Sequence, residues 1–295
     1  MKDYIILTDS TSNLQKDLRD KYNIEYVPMN YICEDVEYVA SLDWEAHSPK
    51  EYYDLARNGK RVTSTQVPKH FFQESFRAAV EQGKGIIYIA CSSALSGSVN
   101  IAKTVEIEIK KENPDAEIFC IDSLISSFGQ GHLAIEASKM RAQGKSAKET
   151  ADYIESIKLN MHQFGTVEKM DYLARAGRIT ASKAFFGNLF GVKPIIISDR
   201  LGQNFAYKKV KGMSNAIAAI ADDVLDACEG VYDTLYLAHA DNEKGIELLK
   251  KAILDKAPFK EVIIAPVCSP VGASVGPGTL IAYVYGKEVT IEGNE

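Results

Sequence analysis

Apolar runs of strand length alternate with helical patterns through the first half of this chain. Residues 4–7, 24–29, 85–90 and 117–121 are such runs, and polar turns and segments with helical periodicity separate them. Strands that are apolar on both faces are typical of a parallel sheet with helices on either side. The first half is therefore predicted to be an α/β unit built on a parallel sheet.

The second half, from about residue 160, has a different pattern. Residues 193–197 and 203–210 are strand-like runs joined by a turn at residues 199–202, which indicates a β-hairpin. Residues 182–190 carry phenylalanines at helical spacing and predict a helix packed in the core, and residues 214–228 form a strongly amphipathic pattern. A hairpin combined with crossover connections implies a mixed sheet.

The composition excludes several classes of protein. A hydrophobic fraction of 46% and a charged fraction of 25% are those of a globular protein. The formal net charge of −6 argues against nucleic acid as the main partner, because phosphate binding needs a strongly cationic surface. No apolar run approaches the ~18 residues of a membrane span, and the first nine residues lack the pattern of a signal peptide.

The cysteines and histidines favour a cytoplasmic protein without a metal. The five cysteines are widely spaced and form no Cys-x-x-Cys pair, which is typical of free thiols in a reducing cytoplasm. The five histidines show none of the spacings of a zinc site. We therefore expect neither a structural nor a catalytic metal.

Hydroxyl side chains cluster just after the predicted strands of the first half. The carboxyl ends of parallel strands meet at one edge of a sheet, where helix N-termini offer free N–H groups to an anion. Each hydroxyl could instead only cap the helix that follows it, as the capping-box spacing of Ser12 and Gln15 predicts. The convergence of four clusters favours a site for a carboxylate or phosphate; they are residues 10–12, 63–65, 92–98 and 123–127.

Other motifs give weaker signals for chemistry. Residues 94–98 lack the first glycine of a Gly-x-Ser-x-Gly nucleophile elbow, which disfavours a serine hydrolase. Residues 272–278 are rich in glycine but lack the Gly-Lys-Ser/Thr ending of a phosphate loop, so no nucleotide cofactor is predicted. Arg178, after Gly177, is the best isolated cation, and it could also simply cap the end of its own helix.

These segments together resemble the DegV family of bacterial fatty-acid-binding proteins over nearly the whole chain. Each motif alone is weakly specific, but their shared order is specific. The matching motifs are Asp-Ser-Thr-Ser at residues 9–12, Ser-Thr-Gln-Val at residues 64–67, Ser-Ser-x-x-Ser-Gly-Ser at residues 92–98, Asp-Ser at residues 122–123 with Gln-Gly at residues 130–131, Leu-x-x-x-Gly-Arg-Ile at residues 173–179 and Lys-Pro-Ile at residues 193–195.

The resemblance implies a fold and a ligand. It implies two unlike α/β domains, a three-layer domain with a parallel sheet over residues 1–160 and a two-layer domain with a mixed sheet over residues 161–295. It also implies a long-chain fatty acid, such as hexadecanoate or stearate, buried in a tunnel between them. Some members are the substrate-carrying subunit of a fatty acid kinase. A separate ATP-binding subunit is then the implied partner, to which the carboxyl is presented for acyl-phosphate formation.

Carried over by position, the family motifs place the fatty acid carboxyl at Ser64 and Ser96. Ser64 stands where the family usually has threonine, which keeps the hydroxyl. Ser274 replaces the histidine of the family's Gly-x-His-x-Gly-x-Gly loop, a residue implicated in its kinase reaction, and Arg178 is a candidate contact for phosphate or the partner. The remaining candidate ligand-binding residues are Thr65, Ser92, Ser93 and Gly272.

Two functions of other classes stay open at this point. One is a stand-alone enzyme that acts on a small phosphate or carboxylate compound, for which a bound nucleotide or sugar phosphate would be the sign. The other is a regulatory protein that senses lipid, which needs a lipid-dependent protein partner.

Overall fold

The computed structural model describes residues 2–180 and 191–293. Within these ranges the strands form a parallel sheet, a mixed sheet and a small antiparallel sheet. The strands are β1 (Tyr4–Asp9), β2 (Ile24–Val27), β3 (Met29–Cys33), β4 (Val36–Ala40), β5 (Val62–Ser64), β6 (Gly85–Ala90), β7 (Ile118–Asp122), β8 (Met161–Thr166), β9 (Val192–Ser198), β10 (Asn204–Lys211), β11 (Thr234–His239), β12 (Glu261–Pro266) and β13 (Leu280–Tyr285).

Helices connect most of these strands and cover the sheets. A single 3-10 turn at Lys158–Asn160 joins the two halves of the chain. The α-helices are α1 (Lys16–Tyr22), α2 (Pro49–Arg57), α3 (Lys69–Glu81), α4 (Ser98–Glu112), α5 (Phe128–Ala142), α6 (Ala147–Ile157), α7 (Asp171–Ala176), α8 (Gly212–Cys228), α9 (Glu243–Leu254) and α10 (Ser269–Val275). None of the helices in the described residues is both long and apolar enough to cross a lipid bilayer.

The parallel sheet has the strand order β2-β1-β6-β7, and every neighbouring pair is parallel. Helices α3 and α4 pack on one face, and α1, α5 and α6 pack on the other. Because both faces are covered, every residue of β6 is buried, which explains its unbroken apolar sequence. The predicted three-layer arrangement of the first half is confirmed.

The mixed sheet has the strand order β10-β9-β8-β13-β11-β12, in which only β11 and β12 pair in parallel. Side chains alternate between its faces: Ile195 and Ile197 join the apolar cluster under α8 and α9, whereas Ile196 faces the first half. The predicted hairpin between β9 and β10 is confirmed, with Asp199 N donating to Gln203 O at 2.9 Å. The expected mixed sheet of the second half is therefore present.

The structure differs from the sequence prediction in two places. The strand predicted over residues 24–29 breaks at Pro28, which lacks an N–H for a sheet ladder, and the chain continues into β3 of the small sheet β4-β3-β5, which the sequence does not predict. The capping box at Ser12 is wrong: Gln15 is the N-cap of α1, and Ser12 Oγ is buried without a hydrogen-bond partner.

Helix α5 lies between the two large sheets, in contact with strands of both. One apolar cluster runs from the parallel sheet through α5 to the near face of the mixed sheet. The strands of each large sheet come from one half of the chain only, with β8 starting at Met161. The domain boundary at residues 160 and 161 stays a prediction. The helix predicted over residues 182–190 lies outside the described residues.

Candidate functional site

A cavity of about 280 Å³ opens at the carboxyl edge of the parallel sheet. Strand-end loops of the first half form one side, and α10, β10 and the end of α7 form the other. The sequence-predicted hydroxyl clusters converge here, because each contributes at least one lining side chain. The lining hydroxyls are Thr11, Ser64, Thr65, Ser96, Ser126 and Ser274.

Ser64 is the last residue of β5 and pairs with Tyr31 of β3. Its side chain is exposed to the cavity, and its Oγ has no hydrogen-bond partner among the described residues. Thr65 next to it is held by the backbone, since its N–H donates to Asn30 O at 2.9 Å. Ser64 therefore presents a hydroxyl with both donor and acceptor capacity to a ligand.

Ser96 is fixed by the start of α4. Its Oγ lies 3.0 Å from Ser98 Oγ and accepts from Ser98 N at 3.3 Å. Ser98 Oγ in turn accepts from Val67 N at 3.1 Å. Ser96 Oγ is the one acceptor that Ser98 Oγ contacts among the described residues, so with the buried Ser98 as donor the Ser96 proton remains available to a ligand. The same contacts join residues 64–67 to residues 96–98, which places Ser64 and Ser96 at one cavity.

The wall behind these hydroxyls is built on the fully buried carboxylate of Asp9. It accepts from Tyr88 OH at 2.7 Å, from Thr11 N at 2.9 Å and from Cys91 N at 3.3 Å, and Thr11 Oγ1 also contacts it. Thr11 and Cys91 line the cavity. Asp9 thus fixes the backbone at the ends of β1 and β6.

The buried thiols beside the cavity are poor nucleophiles. Burial and the Asp9 carboxylate hold the pKa of Cys91 well above its usual range, and burial raises the pKa of Cys268 to about 12. Both stay protonated at neutral pH. Within the described ranges, no group of three or more His, Cys, Asp or Glu side chains could hold a metal ion.

Three of the other candidates lie away from this cavity. Ser92 is buried in the turn after β6, where its Oγ accepts from Ala94 N at 3.2 Å. Ser93 is exposed, and its N–H donates to Asp122 Oδ1 at 3.1 Å. Neither lines the cavity. Gly272 lines an adjoining outer pocket, where a β-carbon on this residue would lie 2.5 Å from Tyr53 OH.

The outer pocket has a volume of about 240 Å³ and shares Ser64, Arg178 and Ser274 with the hydroxyl-lined cavity. Four cationic side chains line it, and no acidic residue in the described part of the chain does. They are Lys60, Arg61, Arg175 and Arg178. In a protein of net charge −6, this mouth favours an anionic group.

Arg178 caps the C-terminal end of α7 and also hydrogen-bonds to the first half of the chain. Gly177 ends α7 in the left-handed region, with φ of 64°, and Arg178 Nη1 donates to Ala176 O at 2.6 Å. Its Nε donates to Leu95 O, 2.9 Å away in the loop that carries Ser96. Both hydrogen bonds go to neutral carbonyls, so the guanidinium charge has no carboxylate partner among the residues described.

A small inner cavity of about 30 Å³ adjoins the hydroxyl-lined one, and the two share Ser126, Asn204, Val271 and Val275. It lies against the near face of the mixed sheet. Its apolar wall consists of Val167, Leu173, Ile196, Val271, Val275 and Ile281. A hydroxyl-rich chamber thus lies between a cationic mouth and an apolar interior.

The sequence reasoning missed some lining residues. Thr11 and Ser126 belong to the predicted clusters but were not selected individually. Gln66 belongs to the Ser-Thr-Gln-Val motif but is not among the candidate site residues. Asn204 and Gln163 have no sequence signal, because only the packing of the mixed sheet against the strand-end loops brings them to the cavities.

Comparison with known proteins agrees with this architecture. A family model described as "Uncharacterised protein, DegV family" matches residues 4–287. A DegV domain-containing protein from Clostridium perfringens is 31% identical over 287 residues, which cover 97% of this chain and 98% of that protein.

Two solved structures have the same fold. A DegV family protein from Thermus thermophilus, described as binding fatty acid, matches with a TM-score of 0.87 at 24% identity, over 97% of this chain and all of that one. A stearic-acid-binding protein from Eubacterium ventriosum matches with a TM-score of 0.83 at 23% identity, over 96% of this chain and 98% of the other. The family model and the Clostridium relative together establish that the chain belongs to the DegV family.

Proposed function

We propose that this protein binds a long-chain fatty acid, with the carboxyl at Ser64 and Ser96 and the tail in the apolar interior. The observation that carries the proposal is that a hydroxyl-lined chamber adjoins a largely apolar cavity and shares four lining residues with it. A fatty acid has the same division into a polar head and an apolar tail. The fatty acids described for the Thermus and Eubacterium relatives support the same ligand class.

In this proposal burial of the tail supplies the binding free energy, and hydrogen bonds from the hydroxyls offset the cost of burying the carboxylate. At ~0.8 kcal/mol per buried methylene, a tail of about 16–18 carbons gains on the order of 10 kcal/mol before the costs of binding. A buried carboxylate without partners would cancel much of this gain. Ser64 and Ser96 each have a hydroxyl proton to donate to it, and the Arg178 guanidinium lines the same chamber.

Binding also requires the interior to widen. A volume of about 30 Å³ is roughly the share of one water molecule in the liquid, and it cannot hold such a tail. Helix α10 supplies Val271 and Val275 to the wall and Ser274 to the chamber. The proposal therefore includes a shift of α10, or of the side chains opposite it, when the tail enters.

The first test is mass spectrometry of an organic extract from the purified, denatured protein. A stoichiometric C16–C18 fatty acid is the expected result, because burial on this scale lets a lipid survive purification. An extract without lipid, followed by no binding of added fatty acids, would overturn the proposal. A nucleotide or sugar phosphate in the extract would instead favour a stand-alone enzyme, the second candidate, which the cationic outer pocket also suits.

The second test addresses the two serines. The combined change Ser64→Ala and Ser96→Ala is expected to weaken fatty acid binding at least about tenfold, because hydrogen bonds to a charged group contribute ~1.5–3 kcal/mol each. Ser93→Ala, on an exposed side chain outside the cavity, is the matched control. Unchanged affinity in the double variant would show that other groups hold the carboxyl.

The cationic outer pocket supports a further step, in which the carboxyl is presented to a separate ATP-binding kinase subunit. Phosphoryl transfer to the carboxyl at Ser64 would place negative charge in that pocket, beside Arg178. Ser274 lines both pockets at the position of the family's histidine. Full acyl-phosphate formation by an Arg178→Ala variant with the partner would remove Arg178 from this role.

Two broader proposals accompany this function. The five cysteines are all free thiols, which supports a cytoplasmic location. The two large sheets, each drawn from one half of the chain, support a division into a head-group domain over residues 1–160 and a covering domain over residues 161–295.

A further inference from the structure

Five polar side chains line the inner cavity among its apolar residues: Ser126, Gln163, Thr166, Asn204 and Thr279. The Thr279 hydroxyl is committed to the backbone, since Val275 O and Gly276 O lie 3.0 and 2.9 Å from its Oγ1. Ser126 belongs to the loop after β7, Gln163 to β8 and Asn204 to the start of β10. Ser126 and Gln163 are buried, with 5% and 6% of their surfaces exposed. A tunnel for an unsubstituted hydrocarbon gains nothing from such groups, and a buried amide oxygen without a partner costs free energy.

A backbone carbonyl fixes the orientation of the two amides. The Arg178 carbonyl can only accept, so the Asn204 atom that lies 3.0 Å from it is the amide nitrogen Nδ2, which donates. Asn204 Oδ1 is then the acceptor for Gln163 Nε2, also at 3.0 Å. The remaining amide atom, Gln163 Oε1, has no hydrogen-bond partner among the described residues and belongs to a side chain that lines the inner cavity.

Ser126 supplies the complementary atom. It lines both the hydroxyl-lined chamber and the inner cavity. Its Oγ has no hydrogen bond within the described ranges, so the hydroxyl has a proton to donate. The inner cavity therefore has an acceptor, Gln163 Oε1, and a hydroxyl donor, Ser126 Oγ, in its lining. Thr166 Oγ1, buried without a hydrogen-bond partner in the described chain, is a second hydroxyl in the same lining.

We infer that the preferred ligand is a fatty acid with a hydroxyl group on its acyl chain. That hydroxyl donates to Gln163 Oε1 and accepts from Ser126 Oγ. A keto group could only accept, which would leave the glutamine oxygen unpaired, and a carbon–carbon double bond could satisfy neither atom. The inference rests on the proposed fatty acid binding and adds the chemical class of the tail.

The test compares hexadecanoic acid with a series of hydroxyhexadecanoic acids in which the hydroxyl is moved stepwise along the chain. Dissociation constants are measured by titration of the delipidated protein. We expect one position to bind between about twofold and tenfold more tightly than hexadecanoic acid, the range of a single net hydrogen bond. The matching keto acid should lose that gain.

Two variants on different elements assign the gain to these side chains. Gln163→Met keeps the length of the side chain without its amide, and Ser126→Ala removes one oxygen. Each should reduce the ratio of hydroxy acid affinity to hexadecanoic acid affinity, with both acids titrated on the same variant. Gln73→Met, the same exchange on α3 away from the cavities, is the control and should keep the preference.

The outcomes separate this inference from the function on which it rests. If hexadecanoic acid binds at least as tightly as every hydroxy acid, the inference is wrong and fatty acid binding stands. A preference that persists in both variants also overturns it. If neither acid class binds, both proposals fail.

Discussion

At the edge of the parallel sheet, some hydroxyl side chains are hydrogen-bonded within the protein and others are left available to a ligand. Ser10 Oγ accepts from Met29 N at 2.9 Å, so this hydroxyl is committed to the backbone. Ser64 Oγ, at the same edge, is committed to nothing in the described chain. The difference accompanies burial, because Ser10 is fully buried beside a backbone donor, whereas Ser64 faces the cavity.

Asp9 connects the ends of two strands at this edge through its buried carboxylate. Its carboxylate gathers donors from Thr11, Tyr88 and the Cys91 backbone. In an Asp9→Asn variant one oxygen becomes an NH2 group that faces donors instead of accepting from them. We expect the free energy of unfolding to fall by about 2–3 kcal/mol, the size of hydrogen bonds to a buried charge, as measured by urea denaturation.

The control for this change is Asp17→Asn, on an exposed carboxylate in the first turn of α1. It removes the same charge from a solvated position and should cost well under half as much. Equal losses in the two variants would show that net charge, and not the hydrogen bonds of Asp9, accounts for the effect.

At the scale of elements, α10 is joined to the first half by hydrogen bonds from two buried tyrosines. Tyr52 OH donates to Ser269 O at 2.6 Å and Tyr53 OH to Val267 O at 2.7 Å. The Cys268 N–H also donates to Asn13 Oδ1 at 2.6 Å. Helix α2, which carries both tyrosines, therefore positions the helix that lines all three cavities.

The double change Tyr52→Phe and Tyr53→Phe tests this connection. It removes two buried hydrogen bonds and is expected to lower the free energy of unfolding by about 2–4 kcal/mol, at ~1–2 kcal/mol for each lost hydrogen bond. Urea denaturation gives the stability, and fatty acid titration shows whether loosening α10 changes affinity. Tyr38→Phe is the control, since Tyr38 OH makes no hydrogen bond in the described residues; an equal loss there would contradict the argument.

The sequence predicts elements best where local pattern and burial agree. Strands β1, β6 and β7 are recognisable because covering both faces demands continuous apolar residues. The sheet β4-β3-β5 is not, because β4 exposes most of its residues and has the mixed composition of a loop. Ser48 and Ser146 form complete capping boxes with Glu51 and Glu149, whereas tertiary burial of the loop overrides the same spacing at Ser12.

At the scale of the whole molecule, the candidate site depends on how the two halves pack. The hydroxyls of the first half can be predicted, because parallel strands end at one edge. Gln163 and Asn204 cannot, because their strands lie on a sheet face that meets Ser126 only after the halves come together. Sequence therefore predicts the head-group chamber more completely than the interior that would take the tail.

The packing of the two halves also buries histidines. His132 of α5 lies with Nδ1 3.0 Å from Tyr236 OH of β11, where the helix meets the mixed sheet. Burial lowers the pKa of His132 to about 4, with Glu136 and Asp233 opposing the shift and Lys139 adding to it. Burial also lowers the pKa of His162 and His239. All three are neutral in the folded protein at pH 7.

These shifts predict that stability falls on mild acidification. Between pH 6.5, near the unfolded value, and pH 4, His132 binds a proton in the unfolded chain but not in the folded one. Protonation of His132 therefore does not reduce the free energy of unfolding above pH 6.5. Below that pH the free energy of unfolding falls, by about 3 kcal/mol down to pH 4 at 1.36 kcal/mol per pH unit. His132→Gln should flatten the pH dependence of the free energy of unfolding measured in urea over this window.

His70→Gln, at an exposed ring, is the control and should leave the slope as it is in the native protein. A native slope that persists in the His132 variant would place the proton uptake elsewhere, with His162 and His239 as the next residues to exchange.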